Sequence, residues 1–149
     1  MYSREEAKLL KQEFWTTFGQ WSLRKRKSIG KGRWLLNRTG VKGFRLKFEA
    51  GKKVICVCLE IIDNDEAMRK IHYEKLLTLK ELFNEAMNGE LFWEKEHYTS
   101  SSSNIVRVYT YKKGLTINNK SHWPEIFSFF YDRMNKLETV FETYREILE

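Results

Sequence analysis

Glu49, in "FRLKFEA", and Glu60, at the end of "KKVICVCLE", stand on two consecutive segments of strand character, so the two carboxylates sit on adjacent strands. Two acids so placed can hold Mg²⁺ for phosphodiester hydrolysis, provided a lysine two residues beyond the second acid orients or activates the attacking water. That position is Ile62, and Asp63 and Asp65 come too late to restore the spacing. Lys47 or Lys53 would have to substitute in space. The pattern of a restriction-type nuclease is incomplete, and ordinary strand ends account for the same residues.

Nucleophilic chemistry has less material. Cys56 and Cys58 are two apart in "VICVCLE", so a strand puts both on one face, about 6.6 Å apart at Cα with side chains aimed alike. That geometry disfavours a disulfide. No second Cys pair exists, and His72, His97 and His122 lack ligand-like spacing, so the thiols read as buried structural groups and no metal is expected. Burial in an apolar strand is also expected to raise the thiol pKa and suppress thiolate chemistry. Ser100–Ser103 lie in a loop without the elbow that exposes a hydrolase serine. His97 beside Glu96 reads as a surface residue. The Gly30–Gly32 pair lacks the strand and helix that would aim amides at a phosphate, and no cofactor is expected.

Binding has more. "LRKRKSIGKGRW", residues 23–34, carries six Lys or Arg and no acid. Arg24, Lys25, Arg26, Lys27, Lys31 and Arg33 could contact successive phosphates of a nucleic acid or other polyanion, while Trp21 and Trp34 at the ends could stack on unpaired bases. The same tryptophans could instead anchor a solvated loop into the core. Residues 1–60 hold 15 Lys or Arg against 5 Asp or Glu, and residues 61–149 hold 12 against 15, so the net +7 is carried wholly by the first part of the chain. A basic face is expected there.

The elements that position these groups follow from periodicity. Ser3 three residues before Glu6 is a capping box, and Ala7, Leu10, Phe14, Trp15 and Phe18 recur at helical spacing; the pattern predicts a helix over 4–19 closed by Gly19. "WLLNRTG", "FRLKFEA" and residues 53–62 predict three strands, the last apolar on both faces and central. "NDEAMRKIHYEKLLTLKELFNEAMNGE" predicts one helix, "LFWEKEHY" and "NIVRVYTYKKGLTI" two more strands joined by a flexible "TSSSSN" hairpin loop, and "SHWPEIFSFFYDRMNKLETVFETYREILE" a long final helix with Pro124 in its first turn. The expected fold is α+β over a single domain, 1–149: an antiparallel sheet of about five strands with three helices packed on one side, in the order α-β-β-β-α-β-β-α.

That order, with "MYSREEAKLLKQEFWTTFG" at the start and the strand, Asn-Lys turn and Trp-led helix of "VRVYTYKKGLTINNKSHWPEIFSFFYDRM", resembles a bacterial family known as domain of unknown function 4268. The resemblance spans nearly the whole chain. It implies a compact α+β domain that occurs alone or beside other modules, some similar to restriction-type nucleases, with no assigned activity and no catalytic residues to carry over. The basic stretch Arg24–Lys31 is longer and more positive than the family pattern.

Two functions lead, both non-enzymatic, with a divergent restriction-type nuclease as a lesser alternative. One is a nucleic-acid or polyanion-binding module that uses the basic stretch. The other is a homodimer or protein-interaction module that uses the aromatics of the last helix, Phe127, Phe129, Phe130, Tyr131, Phe141 and Tyr144, which outnumber one apolar stripe. The acidic start, "MYSREEAKLL", and the lack of a long uncharged apolar run predict a cytoplasmic protein with no membrane contact.

Overall fold

The computed structural model describes residues 2–101 and 103–149; the serine loop between the last two strands includes Ser102, which lies outside the described residues. The first helix, α1, spans Arg4–Ser28. Its start is the expected capping box, in which Ser3 Oγ accepts the Glu6 N–H at 3.1 Å and the Ser3 N–H donates to Glu6 Oε1. Its end is not at Gly19. That residue sits mid-helix on the exposed side, a cost of about 1 kcal/mol relative to Ala. The opposite side buries Phe14, Phe18, Ser22 and Arg26 at four-residue intervals, and this stripe carries the helix through. The stop is nine residues on. Gly30 takes φ +78°, its N–H donates to the Lys27 carbonyl at 3.1 Å, and the Lys31 N–H reaches back to the Arg26 carbonyl at 2.8 Å, a Schellman closure. Lys25, Arg26 and Lys27 therefore sit in the last turn, where the helix dipole favours cations.

Residues 34–40, expected as a strand, form turns instead, with Leu36 at φ +46°. Two bonds tie them to the sheet, from the Leu46 N–H to the Leu36 carbonyl and from the Thr39 hydroxyl to the Phe44 carbonyl, each at 3.0 Å. The strands are β1 (Phe44–Ala50), β2 (Val54–Ile61), β3 (Phe92–Tyr98) and β4 (Asn104–Lys113), in the order β1-β2-β4-β3 with every neighbour antiparallel. Four strands thus replace the expected five among the described residues. β2 is central and buried on both faces, as its apolar run predicts.

The expected middle helix is two, α2 (Glu66–Leu77) and α3 (Lys80–Ala86), separated where the Thr78 hydroxyl turns back to the Lys75 carbonyl. After a short 3₁₀ turn, Lys120–His122, α4 runs Trp123–Thr143 with Pro124 in its first turn, and α5 spans Arg145–Leu148. Five helices, rather than three, are therefore present among the described residues.

All the helices gather on one face of the sheet. Phe48 of β1 meets Trp15 of α1 and Phe130 of α4, Phe44 meets His72 of α2, and Trp93 of β3 meets Phe83 of α3, while α5 packs on α2. The main core draws on Phe44, Leu46, Ile55, Val57, Leu59, Ile61, Val106 and Val108, one parity of the strands. The other parity forms an open face.

Candidate polyanion cleft and the open face of the sheet

The basic stretch is built as a helix end followed by a return segment, and its cations divide into two kinds. Arg26 is 3% exposed. Its Nη2 donates to Glu138 Oε1 of α4 at 2.6 Å, Nη1 to Asn135 Oδ1 at 2.7 Å and Nε to the Gly32 carbonyl at 2.7 Å, and its guanidinium lies 3.9 Å from the Trp34 ring centre. Expected to reach a phosphate, Arg26 is instead the internal clasp of the return segment, because a buried guanidinium needs its counter-charge. Glu138 Oε2 completes the clasp by accepting the Leu35 N–H at 3.1 Å.

The tryptophans are anchors. Trp34 is partly buried, donates from Nε1 to Ser22 Oγ at 3.1 Å and packs edge-on against Phe48. Trp21 is partly buried against Phe127 and Tyr131, with Lys25 Nζ 4.8 Å above its ring. Lys31 reaches Thr139 Oγ1 at 3.2 Å.

Arg24, Lys27 and Arg33 are exposed and, with Arg38, carry no ion pair and no side-chain hydrogen bond among the described residues. Arg33 and Arg38 border one feature, and Arg24 and Lys27 lie beyond it on α1. Between α1 and the return segment lies a cleft of about 630 Å³, walled by Trp15, Gln20 and Leu23 on one side and by Trp34 and Leu36 on the other, with Arg33 and Arg38 on its rim. Arg24 and Lys27 follow Gln20 and Leu23 by one turn, so they extend the same helical face. A second hollow of about 310 Å³ shares Trp15, Leu36 and Asn37 and continues to Arg45 and Lys47 on the free edge of β1. Leu36, the residue with the left-handed backbone, stands where the two meet. Such a conformation in a residue with a Cβ is held by its surroundings at a cost of about 1–3 kcal/mol. Trp15, Gln20, Leu36, Asn37 and Arg38 were not legible as site residues; Arg38, an isolated cation in a turn segment, was the one with a charge signal.

On the open face the register lines up side chains in rows. One row runs Arg45, Glu60, Arg107, Glu94 across β1, β2, β4 and β3. Glu60 is 0% exposed, and it accepts from Arg45 Nε at 2.6 Å and Arg107 Nε at 2.9 Å. Arg107 also grips Glu49, with Nη2 at 2.6 Å and Nη1 at 3.3 Å. The hairpin register sets Glu49 opposite Cys56 and Glu60 opposite Arg45, and the two carboxylates meet only through the Arg107 guanidinium. The donor set does not fit a hydrolytic metal, since both carboxylates are already committed to an arginine, and no group of three or more His, Cys, Asp or Glu placed to hold a metal ion occurs among the described residues. Burial pushes the Glu49 carboxyl up, and the Arg107 hydrogen bonds and charge, helped by Lys47, outweigh it and hold the group below its ordinary value.

Cys56 and Cys58 share this face, and both thiols are free and buried. Burial does not act alone on them. The two thiols influence each other, and that coupling lowers the Cys56 pKa despite burial and, together with burial, raises that of Cys58 well above the ordinary thiol value. The expectation of two suppressed thiolates therefore holds for Cys58 and reverses for Cys56. Iodoacetamide at neutral pH is expected to label Cys56 first, and Cys58 only on unfolding; peptide mass mapping reads the order, and equal labelling would contradict it.

Three histidines have structural surroundings. His72 is buried against Phe44, His97 Nδ1 lies 2.9 Å from Glu94 Oε2, and His122 Nδ1 accepts the Thr116 N–H. On the last helix, Phe127, Phe129, Phe130 and Phe141 are buried and Tyr131 and Tyr144 are partly so. The aromatic surplus is consumed inside the fold, because α4 is clad by α1, by α3 and by the sheet.

A family model, that of the domain of unknown function DUF4268, matches residues 10–145. The chain belongs to the DUF4268 family. The matched span takes in every strand, all of α4 and most of α1, so the cleft and the open face are both features of this DUF4268 domain. No curated protein and no solved structure matches the chain. Among the described residues, no helix of this DUF4268 domain is long and apolar enough to cross a membrane.

Proposed function

We propose that the domain binds a polyanion, nucleic acid first among them, along the cleft between α1 and the return segment. One observation carries the reading: Arg33 and Arg38 are left without partners on the rim of a hollow with two tryptophans in its walls, and Arg24 and Lys27, equally unpartnered, stand one helical turn beyond it on α1. Other basic side chains nearby are neutralised or stacked by design of the fold, as Arg26 is by Glu138. Cations left free at one place, in the part of the chain that holds the whole positive excess, attract phosphates by field and by counterion release. Arg26, Trp21 and Trp34 build the site without touching the ligand backbone, whereas the four free cations contact it.

The test is fluorescence anisotropy of a labelled single-stranded oligonucleotide against wild type and the variant Arg24→Ser/Lys27→Ser/Arg33→Ser/Arg38→Ser. Roughly 0.7 of a unit of salt slope accompanies each phosphate contact on a single strand, so the variant's slope is expected to fall by about 3. A Lys70→Ser/Lys95→Ser control, on α2 and β3, is expected to leave the slope in place. Equal losses in the two variants would mean that net charge, and not the cleft, attracts the ligand.

A further inference from the structure

We propose that the open face of the sheet is a base-stacking platform, so that the ligand is single-stranded nucleic acid rather than duplex. The proposal rests on the polyanion reading and deepens it. Its material is separate from the cleft. Phe92 of β3 pairs across the sheet with Tyr109 of β4, and Tyr111 stands two residues further along the same face. The three rings form one cluster: Phe92 and Tyr109 centres are 5.6 Å apart at 24°, Phe92 and Tyr111 5.2 Å at 39°, and Tyr109 and Tyr111 6.2 Å at 37°. Their mutual inclinations are small and their centres close, so the rings lean on one another in an offset stack that ends at the exposed Phe92. Phe92 is 48% exposed at its edge, an apolar ring left to water where the remaining strand phenylalanines pack inward.

The charge around the rings fits an anionic strand. Lys113 Nζ lies 5.9 Å from the Tyr111 ring centre, Lys53 is held at the same end by the bond from the Gly114 N–H to its carbonyl, and Lys47 pairs in register with Cys58 beside Tyr109. The acids of the face are committed internally. Glu60 and Glu49 are held by arginines, and Glu94 Oε2 lies 2.9 Å from His97 Nδ1. Glu49 and Glu94 keep side-chain exposures of 39% and 37%, so the cationic surplus beside the rings comes from the exposed Lys53 and Lys113. Flat rings with cations beside them accept successive bases of any sequence while the cations meet the phosphates; in a duplex the bases are already stacked on each other and cannot use them. Lys47 also borders the second hollow, so the edge of β1 joins the platform to the cleft.

The experiment compares a labelled oligothymidylate of about 15 nucleotides, a length within the reach of small single-strand-binding folds, with its duplex. Wild type, the four-cation cleft variant and Phe92→Ala/Tyr111→Ala are titrated with both. Wild type is also photo-cross-linked to a strand carrying 5-iododeoxyuridine, which needs no variant to fold. Wild type is expected to prefer the strand. The aromatic variant is expected to lose tenfold or more in strand affinity with its salt slope unchanged, and cross-links are expected at Phe92, Tyr109 or Tyr111. Unchanged strand affinity in the aromatic variant, or cross-links confined elsewhere, would overturn the platform; a lowered slope in the cleft variant would then leave the polyanion reading standing. Aromatic dependence with no effect of the cleft variant would overturn the cleft and keep the platform. No binding to either oligonucleotide would overturn both and assign the face to a protein partner.

Discussion

Glu138→Ala is expected to destabilise the domain by about 3–5 kcal/mol, the usual cost of removing one partner from a buried ion pair. The residue is 4% exposed, and its two carboxylate oxygens do different jobs. Oε1 neutralises Arg26, which has no other carboxylate among the described residues, and Oε2 satisfies the Leu35 N–H. Alanine would strand a buried guanidinium on three neutral acceptors, Asn135 and the Gly32 and Arg33 carbonyls, and orphan an amide. For a domain of this size such a loss lowers the melting temperature on the order of 10 °C, readable by circular dichroism. Arg26→Met/Glu138→Leu, which removes both charges, is expected to recover most of it, because the desolvation of both ions disappears together. A single variant within 1 kcal/mol of wild type would show that the clasp does not hold the return segment.

The charge row of the open face yields the second large effect. Glu60 receives two arginine donors at 0% exposure, so Glu60→Ala is expected to cost a similar 3–5 kcal/mol. Glu60→Gln keeps an acceptor and leaves Glu49 to balance Arg107, and is expected to cost less. The pH dependence has a definite sign. The Glu49 carboxyl is held below its unfolded value, so its contribution is fully present above that value and is lost as pH falls through the lower, folded one. Urea midpoints between pH 7 and 3 are expected to fall on the acid side. Glu49→Gln is expected to flatten part of that fall, and an unchanged profile would contradict the assignment.

Local chemistry in this chain is legible and long-range pairing is not. The Ser3–Glu6 cap and the central, doubly buried β2 follow from residues that touch their sequence neighbours, and both stand as read. Gly19 misled because a glycine after an apolar stripe resembles a helix end, whereas the stripe continues through Ser22 and Arg26, two polar residues whose burial depends on Trp34 and on Glu138. That dependence hid Arg26 among the phosphate-binding candidates. The strand expected at "WLLNRTG" failed for a related reason: its apolar residues cover the gap between α1 and β1 as turns, and the positive φ of Leu36 has no mark in the sequence. Glu49 and Glu60 were correctly placed on neighbouring strands. The residue that decides their chemistry, Arg107, arrives 47 positions after Glu60 and could not be read from them. The open aromatic face was equally hidden, since Phe92, Tyr109 and Tyr111 look like core residues until the helices are known to lie on the other side.

The measurement closest to the central claim is the slope of log affinity against log salt for a single-stranded oligonucleotide, wild type against the variant lacking Arg24, Lys27, Arg33 and Arg38. The account predicts binding that weakens steeply with salt in wild type and a slope smaller by about 3 in the variant. Coincident slopes, or no binding at low salt, would contradict it.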